Sequence, residues 1–588
     1  MRKRSITKMI VPFVLFLVVL ASLTPDLLSA TLSNDDKNVQ EEVKHISDCT
    51  NPFPFSDIII SDIKGGLNLS ITFVNQGNYN FPNIVIEIKI INGYIVKNRE
   101  KQYNITLNPS PTPGSTCTIQ HSLFGIGITK KNHPQLSIYI NISNKLYLMG
   151  QIEISLIGTV IKIIHSMLNE DIISPGYILF TPEFGTDTYL IDHLGNLVHT
   201  WKGKYIQGMA TYLLENGNML RTDLSVLIPS ELVIIGGYTT HIGEYDPQGD
   251  CVWEFEYFSD NYTLHHDIEP LPNGNIILTA CEYKSEIDII QAGGNPYLFN
   301  SSGKTPPTFS LVSDYLIEIK PNGTTGGEIV WEWHVWDHLI QDYDPTKENY
   351  GDVEKHPELI HLNHENVYPY DFTHINSVDY NEEFDQILLS VRHFNEIWII
   401  DHSTTSEEAT GHTGGRYEKG GDLLYRWGNP QVYSAGTESD QQLFLQHDAS
   451  WIESGAPGEG NILFYNNAKY KEGLYVYSAV EEIVPPCTKD GIYYKIGKAY
   501  GPNLPIWSYK VKDEATTLSP NQLSSAQRLP NGNTLICYGQ LGKFYEITPL
   551  KEIVWQYTNP YGIDNRVFKI RKYLPDYPGI KILLQNKP

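Results

Sequence analysis

Apolar residues alternate with polar ones in short runs through the last two-thirds of the chain, and this period of two predicts β-strands. One recurring hairpin ends in a strand that carries a pair of aromatic residues. Its six copies lie at 197–201, 251–255, 329–333, 423–427, 505–509 and 553–557. Five of the six follow another clear strand, whereas the fifth copy is split by an insertion.

A second recurring hairpin turns on an Asn-Gly pair, the strongest short-range signal for a β-hairpin. Clear copies lie at 216–217, 273–274 and 531–532, and degenerate copies start near Asp379 and Ile452. The two hairpins together give four strands per repeat, which at a period of roughly 40 residues or more is typical of a β-propeller. Six aromatic hairpins therefore predict six blades.

The two ends of the repeat region predict how the ring closes. The first copy begins near 176–180 without an innermost strand, and residues 565–575 resemble the strand that is missing. We therefore expect a six-bladed propeller over residues 170–588, with the C-terminal strand completing the first blade. Closure of this kind leaves no sheet edge exposed.

The region before the repeats predicts a leader, a linker and a second all-β domain. Basic residues precede an apolar run at 9–23 that is short for a membrane span, so residues 1–30 are interpreted as a signal peptide or a short N-terminal anchor. Residues 31–48 form a polar linker, and short alternating strands over 49–165 predict an immunoglobulin-like β-sandwich in which Cys49 and Cys117 could pair. We expect an extracytoplasmic protein, whether secreted, periplasmic or at the cell surface. Glycosylation at sequons such as Asn68, a homodimer and a membrane tether stay open.

Three histidines occupy the same position of the repeat. Counting five residues back from the leucine of each Asn-Gly turn, or its equivalent, gives Met209, His266, His374, His447, Ser524 and Lys569. These positions fall on the innermost strand of each blade, so we expect their side chains to converge on the central axis. Solvated pore-lining residues are the alternative, but an active site on the axis explains three imidazoles better.

Two further polar residues belong to the same patch. The strands around His374 turn near Glu383, which sets Arg392 directly across from His374. Asn376 follows His374 by two residues and is expected on the same face, because strand side chains alternate. A solvated salt bridge is the alternative for Arg392, but its pairing with His374 favours contact with a ligand.

Two kinds of site use three imidazoles, an amide and a guanidinium. A metal site is disfavoured, because the usual close spacing of ligands is absent and Arg392 would repel a cation. An anion site fits better, since arginine offers a planar fork to a tetrahedral oxyanion and histidine and asparagine supply directed donors. A neutral histidine in such a site can also act as a nucleophile while the other donors stabilise charge in the transition state.

At these residues the chain resembles the arylsulfate sulfotransferases, over roughly residues 170–588. The resemblance rests on Leu264-His265-His266-Asp267, Thr373-His374-Ile375-Asn376, the downstream Arg392 and Gln446-His447-Asp448-Ala449, in the family's order. Members of this family are secreted six-bladed propellers with an added N-terminal β domain. They move a sulfuryl group from one phenol to another through a sulfohistidine, with no nucleotide donor, and the resemblance implies no cofactor here.

The resemblance also implies a role for each matched residue. His447 would be the nucleophile that is transiently sulfated. Four residues would grip the sulfuryl oxygens and stabilise the transition state: His266, His374, Asn376 and Arg392. His266 or His374 would also serve as acid and base for the phenols, and the sequence does not choose between them. His265 is interpreted as structural, and Asp448 either orients a ring or serves the blade interior.

Long insertions at about 283–312 and 334–372 depart from the family pattern and leave the acceptor open. The second insertion holds five histidines and is expected to pack over one mouth of the funnel, with a second metal site as a minor alternative. A nucleotide-donor mechanism is rejected, because Leu298 stands where a phosphate-binding loop before Lys304 needs glycine.

Charge narrows the choice of partners. The formal net charge of −25 argues against nucleic acid, whose phosphates need basic residues. We therefore expect an exported sulfotransferase that uses an aryl sulfate donor and a phenolic acceptor in two steps through His447. The alternatives are a propeller that binds a sulfated or phenolic ligand or a partner protein without turnover, and a hydrolase in which water replaces the phenol.

Overall fold

The structure is a computed structural model. It describes residues 173–585 apart from segments at 228–235, 300–309, 365–367, 369, 472–473, 512–521, 550 and 564, together with the backbone of the strands between residues 58 and 162. The predicted leader, the linker and the pairing of Cys49 with Cys117 lie outside the described residues and side chains. In the part of the chain that the structure describes, no helix has both the length and the apolar character needed to cross a membrane.

The strands before residue 163 pair into small antiparallel sheets. The larger two have the strand orders β1-β2-β6 and β5-β3-β8-β9. The strands are β1 (Ile58–Lys64), β2 (Asn68–Asn75), β3 (Val85–Ile91), β4 (Gly93–Ile95), β5 (Gln102–Thr106), β6 (Thr116–Ser122), β7 (Ile126–Ile128), β8 (Gln135–Ile142), β9 (Lys145–Glu153), β10 (Ser155–Ile157) and β11 (Val160–Lys162). The immunoglobulin-like arrangement of this region stays a prediction.

Six antiparallel sheets form the blades of a six-bladed β-propeller, as the sequence predicts. The first blade has β12 (Tyr177–Pro182), β13 (Thr188–Asp192), β14 (Leu197–Trp201) and the C-terminal strand; the second has β15 (Ile206–Leu213), β16 (Met219–Leu224), β18 (His241–Tyr245) and β19 (Cys251–Glu256); the third has β17 (Tyr238–Thr239), β20 (Tyr262–Pro270), β21 (Ile276–Ser285), β22 (Ser310–Pro321) and β23 (Gly327–His334). The fourth has β26 (Ile375–Asn381), β27 (Gln386–Val391), β28 (Glu396–Asp401) and β29 (Tyr425–Trp427); the fifth has β30 (His447–Trp451), β31 (Ile462–Lys471), β32 (Leu474–Ile483) and β35 (Trp507–Val511); the sixth has β36 (Ser525–Arg528), β37 (Thr534–Tyr538), β38 (Lys543–Ile547) and β39 (Ile553–Thr558).

Short elements lie in the insertions between these strands. They are the parallel pair β24 (Leu339–Ile340) and β25 (Ile360–His361), the hairpin of β33 (Lys495–Ile496) and β34 (Ala499–Tyr500), and the helices α1 (Glu286–Gln291), α2 (Pro296–Phe299), α3 (Ser406–Ala409) and α4 (Pro578–Gln585). Short 3₁₀ turns occur at Val335–His338, Val353–Lys355, Pro430–Tyr433, Glu438–Asp440 and Gly539–Leu541.

The C-terminal strand β40 (Val567–Tyr573) is the innermost strand of the first blade. It pairs antiparallel with β12, from Tyr177 opposite Tyr573 to Phe180 opposite Ile570. The first blade is therefore built from both ends of the repeat region, which lie far apart in sequence. This pairing closes the propeller ring.

The Asn-Gly hairpins have the same geometry in three blades. Gly217, Gly274 and Gly532 have φ of 86°, 86° and 89°, a conformation that glycine adopts without steric cost. In each turn the preceding asparagine accepts a hydrogen bond from the backbone two residues ahead, as Asn216 Oδ1 does at 2.9 Å from the Asn218 nitrogen. The turn signal in the sequence thus has a direct physical basis.

The aromatic hairpins join neighbouring blades. Trp201 Nε1 donates to the Asp246 carbonyl at 3.0 Å, Trp253 Nε1 to Gly326 at 2.9 Å and Trp427 Nε1 to Pro502 at 2.7 Å, in each case on the following blade. The apolar core is likewise divided into clusters between adjacent blades, so that Phe180 packs with Leu535. The indole therefore buries a large apolar surface and satisfies its N–H at the same time.

Candidate functional site

The three repeat-equivalent histidines lie on innermost strands, two of them at the N-terminal end and one in the middle. His266 is within β20, His374 immediately precedes β26, and His447 begins β30. The opposite, C-terminal ends of the innermost strands line a cavity of about 1000 Å³, which does not contain the histidines. The candidate site and this cavity therefore lie at different ends of the propeller channel.

The backbone near the histidines is irregular, so their side chains do not follow the simple alternation of a β-strand. His266 and His374 have φ of 50° and 53°, a left-handed conformation that is uncommon for residues other than glycine. The strand register shifts between Leu264 and Ile268, and again between Ile375 and Ser377. Such bulges re-aim side chains and are over-represented next to active sites.

The histidine rings converge. The ring centroids of His266 and His374 are 4.6 Å apart at an interplanar angle of 66°. The Phe568 ring on β40 lies 5.8 Å from His266 and 6.4 Å from His447, so one aromatic ring contacts both. The structure thus brings together the three histidines that the repeat register singled out.

Arg392 also lies where the sequence predicts. Its backbone nitrogen donates to the His374 carbonyl at 3.1 Å, which confirms that the two residues face each other across the hairpin. The guanidinium Nη1 lies 2.7 Å from Nε2 of His393. Burial is the first cause of the lowered pKa of His447, and the positive charge of Arg392 acts in the same direction.

Asn376 is part of the wall between two blades. It is the extra residue of the β26 bulge and is fully buried. Its amide Nδ2 donates to the Gln446 carbonyl at 2.8 Å, next to His447, while Oδ1 has no hydrogen-bond partner among the described residues. The sequence expectation that Asn376 simply follows strand alternation from His374 is wrong, because the bulge intervenes.

His447 has one nitrogen fixed by neutral acceptors. Nδ1 lies 2.8 Å from Asn467 Oδ1 and 3.1 Å from the Leu445 carbonyl. The Leu445 carbonyl can only accept, and the Asn467 amide nitrogen is already donated to the Leu523 carbonyl at 2.9 Å. Nδ1 therefore carries the hydrogen, and Nε2 keeps the lone pair that a nucleophile needs.

His374 has a carboxylate partner instead. Its Nδ1 lies 2.5 Å from Asp371 Oδ2. Burial raises the pKa of Asp371 to about 6. A carboxylate at Nδ1 orients the ring and stabilises an imidazolium when one forms, which is the arrangement that general acid–base histidines use.

His266 is oriented by a second histidine. His265 Nε2 lies 3.1 Å from Asp314 Oδ1 and 3.2 Å from the Ala280 carbonyl, so it carries a hydrogen. A hydrogen bond joins His265 Nδ1 to His266 Nδ1, 3.0 Å away. His265 is buried, as the sequence interpretation had it, but it also holds a site imidazole directly.

Burial lowers the pKa of all three imidazoles. The pKa of His447 falls to about 3, and those of His266 and His374 fall well below the ordinary histidine range because neighbouring positive groups add to burial. At neutral pH the three rings are therefore uncharged, each with one lone pair, beside the permanent positive charge of Arg392. An uncharged nucleophile, uncharged hydrogen-bond donors and a guanidinium together form a site that can bind an anionic substrate.

Lys569, one of the positions counted from the repeat, and the motif residue Asp448 do not face the cluster. Lys569 Nζ lies 2.5 Å from Asp267 Oδ2 and 3.0 Å from Asp448 Oδ1, so it belongs to a buried ion-pair network between blades, and Phe568 contacts the imidazoles instead. Asp448 also binds Arg571 at 2.8 Å and touches no site ring in the described structure. Of the two roles expected for Asp448, the structure supports the one in the blade interior.

Several residues that contact the histidines or Arg392 were not predicted from the sequence, because their sequence signal is too weak. They are Asp371, His393, Asp314, Asn467 and Phe568. Asp371 and His393 stand close in sequence to His374 and Arg392, so proximity to the repeat positions was the available signal. Asp314 and Asn467 come from the neighbouring strands β22 and β31, and their approach depends on the three-dimensional register.

The long insertion after β23 packs into the core between the third and fourth blades. Its apolar residues Leu339, Ile360 and Leu362 are buried there. Its last part supplies Asp371 to His374, and Tyr368 stacks on His393 at 4.3 Å. The insertion thus contributes directly to the candidate site.

Among the residues that the structure describes, two groups of side chains have the spacing of a metal site: His338 with His412 and Asp422, and Asp371 with His374 and His393. In the first group, both nitrogens of His338 are occupied, by Asp422 at 2.9 Å and by the Ala409 carbonyl at 2.9 Å. In the second group Arg392 contacts His393 and would repel a cation. The contacts in both groups therefore favour hydrogen bonding over a metal ion.

Fold and site together define an all-β propeller with three neutral imidazoles and a guanidinium gathered at one end of its innermost strands. The family model described as Arylsulfotransferase (ASST) matches residues 141–560. The chain belongs to this arylsulfotransferase family, as its motifs predict. No curated protein matches the chain.

Solved structures of low sequence identity are also similar to the chain. A Bacteroides caccae protein of unknown function has 11% identity and a TM-score of 0.36, covering 68% of this chain and 99% of its own. The Cps50 (Swd1) β-propeller domain of Myceliophteria thermophila has 10% identity and a TM-score of 0.30, covering 67% and 86%. A putative 6-phosphogluconolactonase of Bacteroides fragilis has 12% identity and a TM-score of 0.30, covering 76% and 95%.

Proposed function

We propose that the protein transfers a sulfuryl group from an aryl sulfate ester to a phenol in two steps, with His447 as the covalent carrier. Family membership supports an aryl sulfotransferase. The observation that carries the mechanism is the environment of His447: Nδ1 is held by Asn467 at 2.8 Å, which leaves Nε2 unprotonated. An uncharged imidazole with a fixed tautomer is ready to attack sulfur without losing a proton first.

In the first step His447 Nε2 attacks the sulfur of the ester. The N–S bond forms, the S–O bond to the aryl group breaks, and the electron pair leaves with the phenolate oxygen. In the second step the oxygen of an acceptor phenol attacks the same sulfur, and the N–S electron pair returns to Nε2. The phenolate that leaves takes up one proton and the incoming phenol gives one up, so the two steps together conserve protons.

His374 is the better candidate for moving that proton. Its Nδ1 is bound to a carboxylate, Asp371 at 2.5 Å, whereas His266 is bound to the imidazole of His265. A carboxylate partner stabilises the imidazolium that forms when Nε2 takes the phenol's proton. His266 and Arg392 are then the groups that grip the sulfuryl oxygens, with Arg392 providing the charge. Asn376 can add only its second amide N–H, because the first is donated to the Gln446 carbonyl.

We extend the proposal to the compartment and to the first domain. It includes an extracytoplasmic location that residues 1–30 direct, and glycosylation at sequons. It also includes an immunoglobulin-like module over 49–165, which packs on the propeller, joins subunits or attaches the protein to a surface. The physical support is the apolar run after basic residues at the N-terminus and the short antiparallel strands of the module.

The test is a transfer assay with 4-nitrophenyl sulfate, with and without added phenol, on the purified chain and two variants. His447→Ala is expected to lower the rate by a factor on the order of 10⁴–10⁶, as loss of a covalent nucleophile does. His356→Ala is the matched control, because that histidine is half exposed and paired with Glu358 in the insertion. Incubation with donor alone should add the mass of one sulfuryl group to the peptide that contains His447.

Each alternative has its own outcome in this assay. Release of nitrophenol that phenol does not accelerate identifies a hydrolase. Absence of release from a folded chain that still binds aryl sulfates identifies a binding propeller. Full activity in His447→Ala contradicts the covalent mechanism.

A further inference from the structure

His393 is a buried histidine next to Arg392 to which the sequence assigns no role. It follows β27 at the end of the hairpin that carries Arg392, and its side chain is only 5% exposed. Both ring nitrogens have partners: Nδ1 lies 2.6 Å from the Asp371 carbonyl and Nε2 lies 2.7 Å from Arg392 Nη1. The imidazole thus links the backbone of the insertion to the guanidinium of the site.

The two contacts determine the protonation of the ring. A backbone carbonyl only accepts hydrogen bonds, so Nδ1 carries the hydrogen. A guanidinium only donates, so Nε2 must offer a lone pair to Arg392, which requires the neutral imidazole. Burial lowers the pKa of His393, and the charge of Arg392 acts in the same direction, which keeps the ring in that form.

The ring itself is held on both sides. Tyr368 stacks on it with centroids 4.3 Å apart and an interplanar angle of 21°, and His374 lies 4.7 Å away. The His393 backbone nitrogen donates to the Thr373 carbonyl at 3.1 Å. A ring fixed in this way is a rigid acceptor at the end of a long and flexible arginine side chain.

We propose that His393 is the positioning residue for Arg392: its Nε2 binds Nη1 and sets the plane in which the guanidinium grips the sulfuryl oxygens. This inference rests on the proposed function. His393 acts only through Arg392 and does not contact the transferred group. An arginine held at one corner keeps its other N–H donors in a defined fork, so fewer rotamers are lost when the anion binds.

Three substitutions separate the two contacts of His393. In His393→Gln the side-chain oxygen reaches the place of Nε2 and can accept from Arg392, so the rate is expected to stay within a few-fold of the native rate. In His393→Asn the shorter amide can donate to the Asp371 carbonyl but does not reach Arg392. In His393→Phe the stacking on Tyr368 remains and both hydrogen bonds are lost. For the Asn and Phe variants we expect kcat/KM for 4-nitrophenyl sulfate to fall by about 10²–10³, the usual loss when one oxyanion-stabilising donor is misplaced.

The decisive measurement is a double-mutant cycle with Arg392→Ala. If His393 acts through Arg392, adding His393→Phe to Arg392→Ala causes almost no further loss, because the group to be positioned is gone. A structural role would give the same loss in both backgrounds, and this result would overturn the inference, as would full activity of His393→Phe. Thermal unfolding of each variant verifies that the comparison is made between folded proteins.

Binding of inorganic sulfate, measured by calorimetry on the same four proteins, separates this inference from the proposed function. The chain could show no transfer while the effects of His393 and Arg392 on sulfate affinity are coupled. This result would refute the sulfotransferase proposal and leave the positioning role standing. If the native chain transfers sulfuryl groups but the effects of the two residues are independent, the positioning role is refuted and the sulfotransferase proposal remains. A native chain that neither transfers nor binds sulfate overturns both, since Arg392 then grips no anion.

Discussion

Acid should destabilise this protein through its buried neutral histidines, and His364 allows the effect to be measured. His364 is 4% exposed, both ring nitrogens lack hydrogen-bond partners among the described residues, and its ring lies 4.5 Å from Phe394. Burial lowers the pKa of His364 to about 3. Because the unfolded chain has a histidine pKa of about 6.5, protons bind the unfolded state preferentially.

The magnitude follows from these two pKa values. The stability that comes from keeping His364 neutral is fully present above pH ~6.5 and declines by about 1.4 kcal/mol per pH unit as the pH falls towards 3. Between about pH 7.5 and about pH 5 the loss amounts to roughly 2 kcal/mol for this one ring. His364→Leu removes the titrating group, so its free energy of unfolding relative to the native chain should rise by roughly 2 kcal/mol over the same pH change. Any change in packing against Phe394 alters the free energy of unfolding equally at both pH values.

His402 is the matched control with the opposite sign. Burial lowers its pKa, but hydrogen bonds to Asp385 at 2.7 Å and Glu318 at 2.9 Å outweigh burial and raise it to about 9. Its contribution is fully present below pH ~6.5 and is lost as the pH rises through about 9, so His402→Leu should cost about 1.4 kcal/mol more at about pH 5 than at about pH 7.5. The assay is equilibrium urea unfolding at the two pH values. An effect of His364→Leu that does not change with pH, or that changes in the same direction as His402→Leu, would refute the reasoning.

Three other predictions concern the site and its support. With a pKa of about 3, His447 should itself add no acid limb to kcat/KM for 4-nitrophenyl sulfate between neutral pH and about pH 5, where an ordinary imidazole would have lost about 30-fold. An acid limb near pH 6.5 that persists in Asp371→Asn, which lacks the carboxyl group of pKa about 6, would contradict this. Asp371→Asn should place a donor on His374 Nδ1, move the hydrogen to Nε2 and lower kcat by about 10³–10⁴ for weakly acidic phenols and by much less for nitrophenols, which a series of acceptors measures. Asp448→Asn should leave Arg571 without its carboxylate and Lys569 with Asp267 alone, and should lower the free energy of unfolding by about 3–5 kcal/mol, with KM and kcat of the folded variant little changed.

The sequence predicted the fold and the convergence of the histidines because both depend on a repeat. Turn and aromatic signals recur in register, and equivalent positions of a repeat occupy equivalent places in the blades. The pairing of Arg392 with His374 was also predictable, since the hairpin register follows from the position of its turn. Register arguments failed where the pairing of the innermost strands is irregular, as at Asn376 and at Lys569, because a β-bulge leaves no mark in the sequence.

The repeat explains why the three imidazoles meet, but their different partners explain how they can divide the chemistry. A carboxylate on the nucleophile would raise its pKa and reduce the neutral fraction, and His447 has instead an amide oxygen and a backbone carbonyl. A proton-transferring histidine gains from a carboxylate, and His374 has Asp371. These partners lie outside the repeat-equivalent positions, on β31 and in the insertion before β26. Symmetry therefore assembles the site, and departures from symmetry assign the roles within it.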